Sequence, residues 1–521
     1  MPGYRRDANF PGGRALAIAA AVLVAACASL PSLHGRVDST ALTDTGDTRL
    51  GQVLEPMTAA HPGKSAIYPL QNARDAFAAR AHLARAAERS LDVQYYIWHK
   101  DMTGTLLLDA LRAAADRGVR VRLLLDDNNT AGLDPVLAAL DAHPNIEVRL
   151  FNPFVPRAPR VLGYLTDFHR ANRRMHNKSF TADNQVTIIG GRNVGDEYFG
   201  ATSGVLFSDL DVMAAGPVVH AVSDDFDLYW KSLSSYPVSL LLPPGQARAL
   251  DELAAERQAA PQQQALAEYT GALRESPFVR QLTQARLPLE WAVTRMVSDD
   301  PAKGLGQAAP ESLVREKLKA IIGEPVSRVS LVSPYFVLSD AGVDIFGDLA
   351  VSGVKVEILT NSLEATDVLA VHAGYAKRRQ ALLESGVTLY ELRRLAPGLE
   401  KERERFGAGS SSASSLHAKT FAVDQARVFV GSFNFDPRSA HLNTEMGFVI
   451  DSPALARQVH DAFAARVPQD AYRVTLGDDG RLAWTEQRDG RPVRHDSEPG
   501  ATGWQRFWVW FLSLLPIDSL L

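Results

Sequence analysis

"RRMHNKSFTADNQVTIIGGRN" (Arg173–Asn193) and "SSLHAKTFAVDQARVFVGSFN" (Ser414–Asn434) write one arrangement twice, some 240 residues apart. In each, a His is followed two residues on by a Lys and, after four intervening residues, by an Asp: His176, Lys178, Asp183 and His417, Lys419, Asp424. His and Lys two apart share one face of a strand. An apolar run follows and ends in a small pair, Gly190-Gly191 or Gly431-Ser432. Small residues there let the backbone turn tightly or come close to a ligand. Asn193 and Asn434 each stand 17 residues after their His. Repetition on this scale means two similar folds, whose packing can assemble one site from two halves.

The flanks repeat as well. Before the first copy, "SLDVQYYIW" alternates Val93, Tyr95 and Ile97 as a strand does, and "TGTLLLDALRAAADRGVRVRLLLDD" reads as a helix, a stop at Gly118 and a buried strand. "QVTIIGG" and "DLDVMAAG" supply two more strands. In the second half "VSRVSLVSPYFV", "IFGDLAVSGVKVEILTNS", "ARVFVGS" and "EMGFVID" follow the same order. The expected architecture is therefore α/β, with two pseudo-symmetric sandwich domains at 71–242 and 287–521. Residues 243–286, with Pro243-Pro244-Gly245 and a helix-forming remainder, read as a linker carrying a helix.

A length of 521 residues agrees with two domains, and 46% hydrophobic with 22% charged residues describes an ordinary globular chain. The formal net charge of -5 argues against bulk electrostatic capture of nucleic acid. One cysteine excludes an internal disulfide, and its place is informative. Arg5, Arg6 and Arg14 precede an apolar run from Ala15, which ends in "VAAC" at Cys27. A positive start, a short apolar core and small residues before the cut are the parts of a secretory signal. Small residues directly before Cys resemble the lipobox of bacterial lipoproteins. The expectations are a signal peptide at 1–26, lipidation at Cys27, a tether over 27–70 and an envelope protein facing the periplasm, with the outer membrane favoured.

The paired motif suits phosphoryl transfer. An imidazole attacks phosphorus or shuttles a proton near neutral pH, while Lys and amide groups stabilise charge on non-bridging oxygens. Each repeat also carries a later acid, Asp209 and Glu445, suited to holding an imidazole in one tautomer. Asp211 lies two residues beyond Asp209 and shares its face, so either could serve. Asp183 and Asp424, though counted with the motif, read as structural rather than as proton carriers. His169, His220, His372 and His441 lack comparable surroundings and read as core or surface residues.

HNKSFTAD and HAKTFAVD resemble the paired HxK(x)4D motifs of the phospholipase D superfamily, and the likeness runs from about Asp75 to the C-terminus. "NRRMHNKSFTADNQVTIIGGRNVGDEYF" with "SFNFDPRSAHLNTEMGFVID" is similar, more narrowly, to bacterial cardiolipin synthases of the C type. The resemblance implies a phosphatidyl-histidine intermediate with no metal and no cofactor. By position His176 is then the nucleophile and His417 the general acid and later base. It implies phospholipid partners, namely phosphatidylglycerol with phosphatidylethanolamine as a possible donor, a membrane surface, and no nucleic acid. A hydrolytic phospholipase D shares every motif residue. A nuclease of the superfamily and a non-catalytic envelope scaffold fit less well.

Three flanking stretches bear on substrate. Arg157, Arg160, Arg170, Arg173 and Arg174 crowd the approach to His176 and offer cations to phosphate. "LEKERERFGAGSSSASS" before His417 has the make-up of a lid or a passive loop. The end, "GWQRFWVWFLSLLPIDSLL", is dense in Trp, Phe and Leu, too short to span a bilayer and suited either to a membrane interface or to burial against the core.

Overall fold

The computed structural model describes residues 29–155, 157, 159–202, 205–258, 260–394 and 413–521. Cys27 and Leu399–Ser412 of the expected lid lie outside the described residues. The first half lays down β1 (Ser65–Leu70), β2 (Ser90–Ile97), β3 (Arg120–Asn129), β4 (Ile146–Phe151), β5 (Ser179–Ala182), β6 (Val186–Gly190), β7 (Val205–Ser208), β8 (Asp211–Ala215) and β9 (Ser235–Pro237). The second half adds β10 (Glu290–Ser298), β11 (Arg328–Val332), β12 (Lys355–Asn361), β13 (Thr388–Leu392), β14 (Ala413–Leu416), β15 (Lys419–Val423), β16 (Arg427–Gly431), β17 (Met446–Asp451), β18 (Ala471–Leu476), β19 (Leu482–Arg488) and β20 (Arg491–His495).

Spatial order in the first sheet is β1-β8-β6-β5-β2-β3-β4-β9, and in the second β10-β17-β16-β15-β11-β12-β13-β18, with β19 and β20 continuing as a meander. Strand for strand the orders correspond. Within these two sheets the described parallel neighbours are β2-β3-β4 and β11-β12-β13, as crossover helices require. Equivalent crossover helices, Met102–Asp116 and Asp340–Val351, are capped by Asp101 and Ser339. Gly118 and Gly353, both at φ +94°, end the turns that follow them, a conformation that favours glycine.

Two strand pairings join the halves, the first making one continuous sheet and the second a separate two-stranded one. β1 pairs antiparallel with β10, and β7 pairs parallel with β14. Between the sheets a shared core sets Ile67, Ile189, Val212 and Val222 against Val428, Val430, Phe448 and Ile450.

One expectation is corrected. The 27–70 segment, in its described part from Ser29, is no tether. Arg36 donates to Ser232 O and Ser235 O at 2.8 and 2.7 Å, Arg149 pairs with Asp38 at 2.7 Å, Arg49–Ala59 is a helix, and β1 bridges both sheets. Polar composition hid this because Arg and Asp side chains hold its first stretch, while only a few apolar residues, Leu50, Leu54, Ala66, Ile67 and Leu70, pack on the cores. The 243–286 segment, expected as a linker carrying a helix, is helical over most of its length. It forms helices Arg248–Gln258, Ala260–Glu275 and Pro277–Thr283, which place Leu253, Tyr269 and Phe278 in the first core.

Candidate active site

His176 and Lys178 stand just before β5, while Lys419 opens β15 directly after His417. β5 and β15 occupy the same place in their sheets, so the topology brings the two motifs face to face. Both imidazoles are buried, at 6% and 7% exposure.

Each imidazole is oriented by an acid from the other half. His176 Nδ1 lies 2.8 Å from Glu445 Oε2, and His417 Nδ1 lies 2.6 Å from Asp209 Oδ2. The acid therefore does not serve the histidine of its own repeat. A carboxylate accepts, so each Nδ1 carries its hydrogen and each Nε2 keeps a lone pair for chemistry. Lys419 Nζ also comes within 3.0 Å of His417 Nδ1. Both partners cannot use one N–H, and an ammonium has no acceptor, so Asp209 holds that bond and Lys419 Nζ donates to His417 O at 2.5 Å. Lys178 Nζ donates likewise to His176 O at 2.5 Å. Asp211 is not the orienting acid: it pairs with Arg80 at 2.8 Å and with Arg192 at 3.5 Å.

Neighbouring residues fix the acids. Ser432 and Ser439 donate to Glu445 at 2.5 and 2.7 Å, and the Glu445 N–H donates to Asp299 Oδ2 at 2.9 Å. At the position matching Ser432 the first half has Gly191, where a Cβ would stand 2.1 Å from Asp209 Oδ1. The one departure between the small pairs thus has a steric cause. Tyr96 meets His176 edge-on at 4.9 Å between centroids, while Tyr198 and Phe207 meet His417 at 5.2 and 5.0 Å. These aromatics and serines escaped sequence reasoning, because nothing in their spacing sets them apart from ordinary strand and cap residues.

The electrostatics are unequal. Burial, with Lys178, Lys419 and His417 nearby, holds His176 well below the usual imidazole range. Burial and Lys419 lower His417 too, but the Asp209 carboxylate pulls it back up. Burial pushes Glu445 up to about 7 against the pull of Lys178. Burial acts on Asp209 in the same sense, yet His417, Lys419 and Arg192 outweigh it and hold the carboxyl at about 2. Burial lowers Lys178 to about 7 and Lys419 to about 8.

Other expected site residues do different work. Asp183 and Asp424 close the β5–β6 and β15–β16 hairpins at φ +50° and +52°, seven residues and so roughly 20 Å along the strand from their histidines. Asp183 accepts from the N–H groups of Glu88, Arg89 and Ser90, and Asp424 from those of Val326, Ser327 and Arg328. They anchor the strand entering beside them. Asn193 accepts from Ile97 N at 3.2 Å and donates to Tyr198 OH at 3.1 Å, so its amide is committed to structure. Asn434 takes Ser439 Oγ on its N–H at 3.3 Å, and its buried Oδ1 has no hydrogen-bond partner. The five arginines offered to phosphate are corrected as well. Arg157 and Arg160 bind Asp127 and Asp134, Arg170 binds Asp167, Arg174 binds Asp126, and Arg173 donates to Lys303 O and His441 O. Lys178 and Lys419 are cations that act directly on both imidazoles.

Comparison with known proteins identifies the family and the fold. The family described as "Cardiolipin synthase, PLD-like domain" matches twice, at residues 81–230 and 318–467. The chain is 50% identical over 474 residues to cardiolipin synthase C of Escherichia coli (strain K12), covering 91% of this chain and all of that one. It is 31% identical over 483 residues to an uncharacterized protein of Helicobacter pylori (strain J99 / ATCC 700824), with 92% and 94% covered. Among solved structures, phosphatidylserine synthase of Haemophilus influenzae Rd KW20 superposes with a TM-score of 0.52 at 15% identity, covering 83% of this chain and 92% of that one, a likeness of fold.

Proposed function

Because the chain belongs to the phospholipase D-like cardiolipin synthase family, we propose that it is a phosphatidyltransferase that joins two phospholipids into cardiolipin on the paired imidazoles. The observation that carries this reading is the crossed pairing of His176 with Glu445 and of His417 with Asp209. One phosphodiester needs a nucleophile on one side and a proton donor on the other, and each half supplies one imidazole with its Nε2 free.

His176 Nε2 attacks phosphorus of the donor phospholipid. The bond to the head-group oxygen breaks, and protonated His417 gives that oxygen its proton. The phosphatidyl group now sits on His176, and neutral His417 takes the proton from the terminal hydroxyl of phosphatidylglycerol as its oxygen attacks phosphorus. Cardiolipin leaves and His176 is regenerated. Lys178 and Lys419 offset charge growing on the non-bridging oxygens. The electrostatics support these roles: a nucleophile must be neutral, and His176 is the more strongly lowered imidazole, whereas Asp209 favours protonation of His417. Burial of both rings favours transfer to an alcohol over loss to water.

The cellular setting belongs to the same proposal. Cys27 is acylated and holds the enzyme in the bacterial envelope with its site facing the periplasm. Purified protein supplied with phosphatidylglycerol alone, and with phosphatidylglycerol plus phosphatidylethanolamine, tests the reaction. Cardiolipin is the expected product. Phosphatidic acid without cardiolipin overturns the synthase reading in favour of hydrolysis, and no lipid product in either mixture overturns both.

A further inference from the structure

Resting on the lipid-substrate reading above, we infer that two apolar surfaces at the catalytic end of the molecule form a collar that seats on a lipid bilayer, so that the paired imidazoles open on the membrane. Strand direction defines which end of the molecule is meant. β2, β3 and β4 are parallel, and their C-terminal ends bring Tyr96 against His176 and Asp126 against Arg174. In the second half the chain leaving β12 carries Asp367, whose carboxylate accepts from Tyr335 OH at 2.7 Å. Asp183 and Asp424 mark the opposite end.

The first surface is the pair of short helices Leu162–Thr166 and Phe168–Ala171. Tyr164 OH bonds Asn128 Oδ1 at 2.8 Å and pins them to the catalytic end of β3. Their apolar side chains nonetheless face outward: Leu165 is 80% exposed, and Val161, Leu162 and Phe168 are exposed with it. The second surface is helix Gly503–Ser513, docked by Val509 against Leu363 and Ala373 of the segment that follows β12. Trp504 and Trp510 are 66% and 58% exposed, and Phe507, Phe511 and Leu514 join them. Burial against the core does not account for this helix. Arg438 ties the two surfaces together, donating to Asn172 Oδ1 and from its own N–H to Leu521 O, both at 2.8 Å.

Trp prefers the interface over the hydrocarbon, which suits a surface that rests on lipid rather than crossing it. Among the described residues no helix is long and apolar enough to cross a membrane.

The test uses the full chain carrying Leu165→Cys, Trp510→Cys or Val326→Cys, with an environment-sensitive fluorophore on the introduced thiol. Val326 is the control: it is 79% exposed and binds Asp424 at the far end. In vesicles of phosphatidylethanolamine and phosphatidylglycerol containing spin-labelled lipid, the labels at 165 and 510 should shift to the blue and be quenched about twofold or more, as interfacial burial requires. The label at 326 should stay water-like. No quenching at 165, or equal quenching at 326, overturns the collar. So does a blue shift without lipid quenching that accompanies a doubling of particle mass, which would make a second copy the occupant. Product analysis on the same vesicles separates the readings, since quenching as expected without cardiolipin sinks the proposed reaction and leaves the collar standing.

Discussion

Glu445 and Asp209 hold equivalent imidazoles under opposite electrostatics, and the pH profile should report it. Glu445, pushed up to about 7, must lose its proton before it can support the cation that develops on His176. The rate should therefore rise with pH through about 7 and fall as Lys178 and Lys419, at about 7 and 8, lose theirs. The profile belongs to the coupled site rather than to single residues. Glu445→Gln should remove the acid limb and slow turnover by about 10²–10⁴; an unchanged acid limb in that variant would exclude Glu445 as its source. The histidines should fail differently. His176→Ala leaves nothing to attack any donor, whereas His417→Ala should still load His176 from a nitrophenyl phosphodiester, whose leaving group needs no proton. Acid quench and mass spectrometry locate the adduct, and an adduct on His417 in the unmodified enzyme would reverse the roles. Away from the site, buried Asp225 has an unpartnered Oδ2 and a carboxyl pushed up to about 7 by burial. Its folded pKa lies above the unfolded value, so the protein loses stability as pH rises from about 4 to 7. Asp225→Asn should gain roughly 2 kcal/mol at pH 8 and nothing near pH 4, readable as melting temperature. The histidines and lysines were legible in the sequence because their spacing repeats, while the acids stand at unequal distances from them and Asp209 could not be told from Asp211. Which acid serves which histidine was not legible, since it depends on contacts between residues more than 200 positions apart.

At the scale of elements, the two small pairs explain why matching strands are not interchangeable. In Gly191→Ala the atoms nearest the new Cβ belong to the Asp209 carboxylate, at 2.1 Å, which must swing away from His417. Activity should fall at least about 100-fold while the melting temperature changes little, because the displacement is local and lies in the catalytic pair. In Gly431→Ala the Cβ meets backbone, with Met446 O at 2.3 Å and the Gly447 Cα at 2.6 Å. Backbone in a central ladder cannot give, so this variant should lose roughly 1–3 kcal/mol of stability. Circular dichroism melts set beside turnover separate the two effects, and equal melting losses would contradict the difference. The core strands were readable from apolar runs and alternation, as in "QVTIIGG" and "ARVFVGS". The elements that were misread lack that signal. Arg36, Asp38 and Arg149 fasten the N-terminal segment through charge, and the basic loop before His176 is neutralised by Asp126, Asp127, Asp134 and Asp167. A count of arginines does not reveal their partners.

For the whole molecule, the crossed carboxylates turn two domains into one catalytic unit. A fragment ending at residue 286 holds His176 and Asp209 but lacks Glu445, and a fragment beginning at 287 holds His417 and Glu445 but lacks Asp209. The shared core of Ile67, Val212, Val430 and Phe448, the β1–β10 register and the β7–β14 ladder are all divided by the same cut. Neither fragment alone should turn over even an activated phosphodiester, and co-expression should restore activity only where the fragments co-purify. Symmetry adds a sharper condition. Because each acid reaches across to the opposite histidine, two copies of one fragment could place Asp209 of each copy on His176 of the other, and such a pair would be active only at concentrations where it forms. Activity of a single fragment that rises with its concentration and tracks a doubling of mass in gel filtration would be this exchange re-created in a homodimer. Activity of a single fragment that is independent of concentration would mean that one imidazole suffices, and the shared site would be refuted.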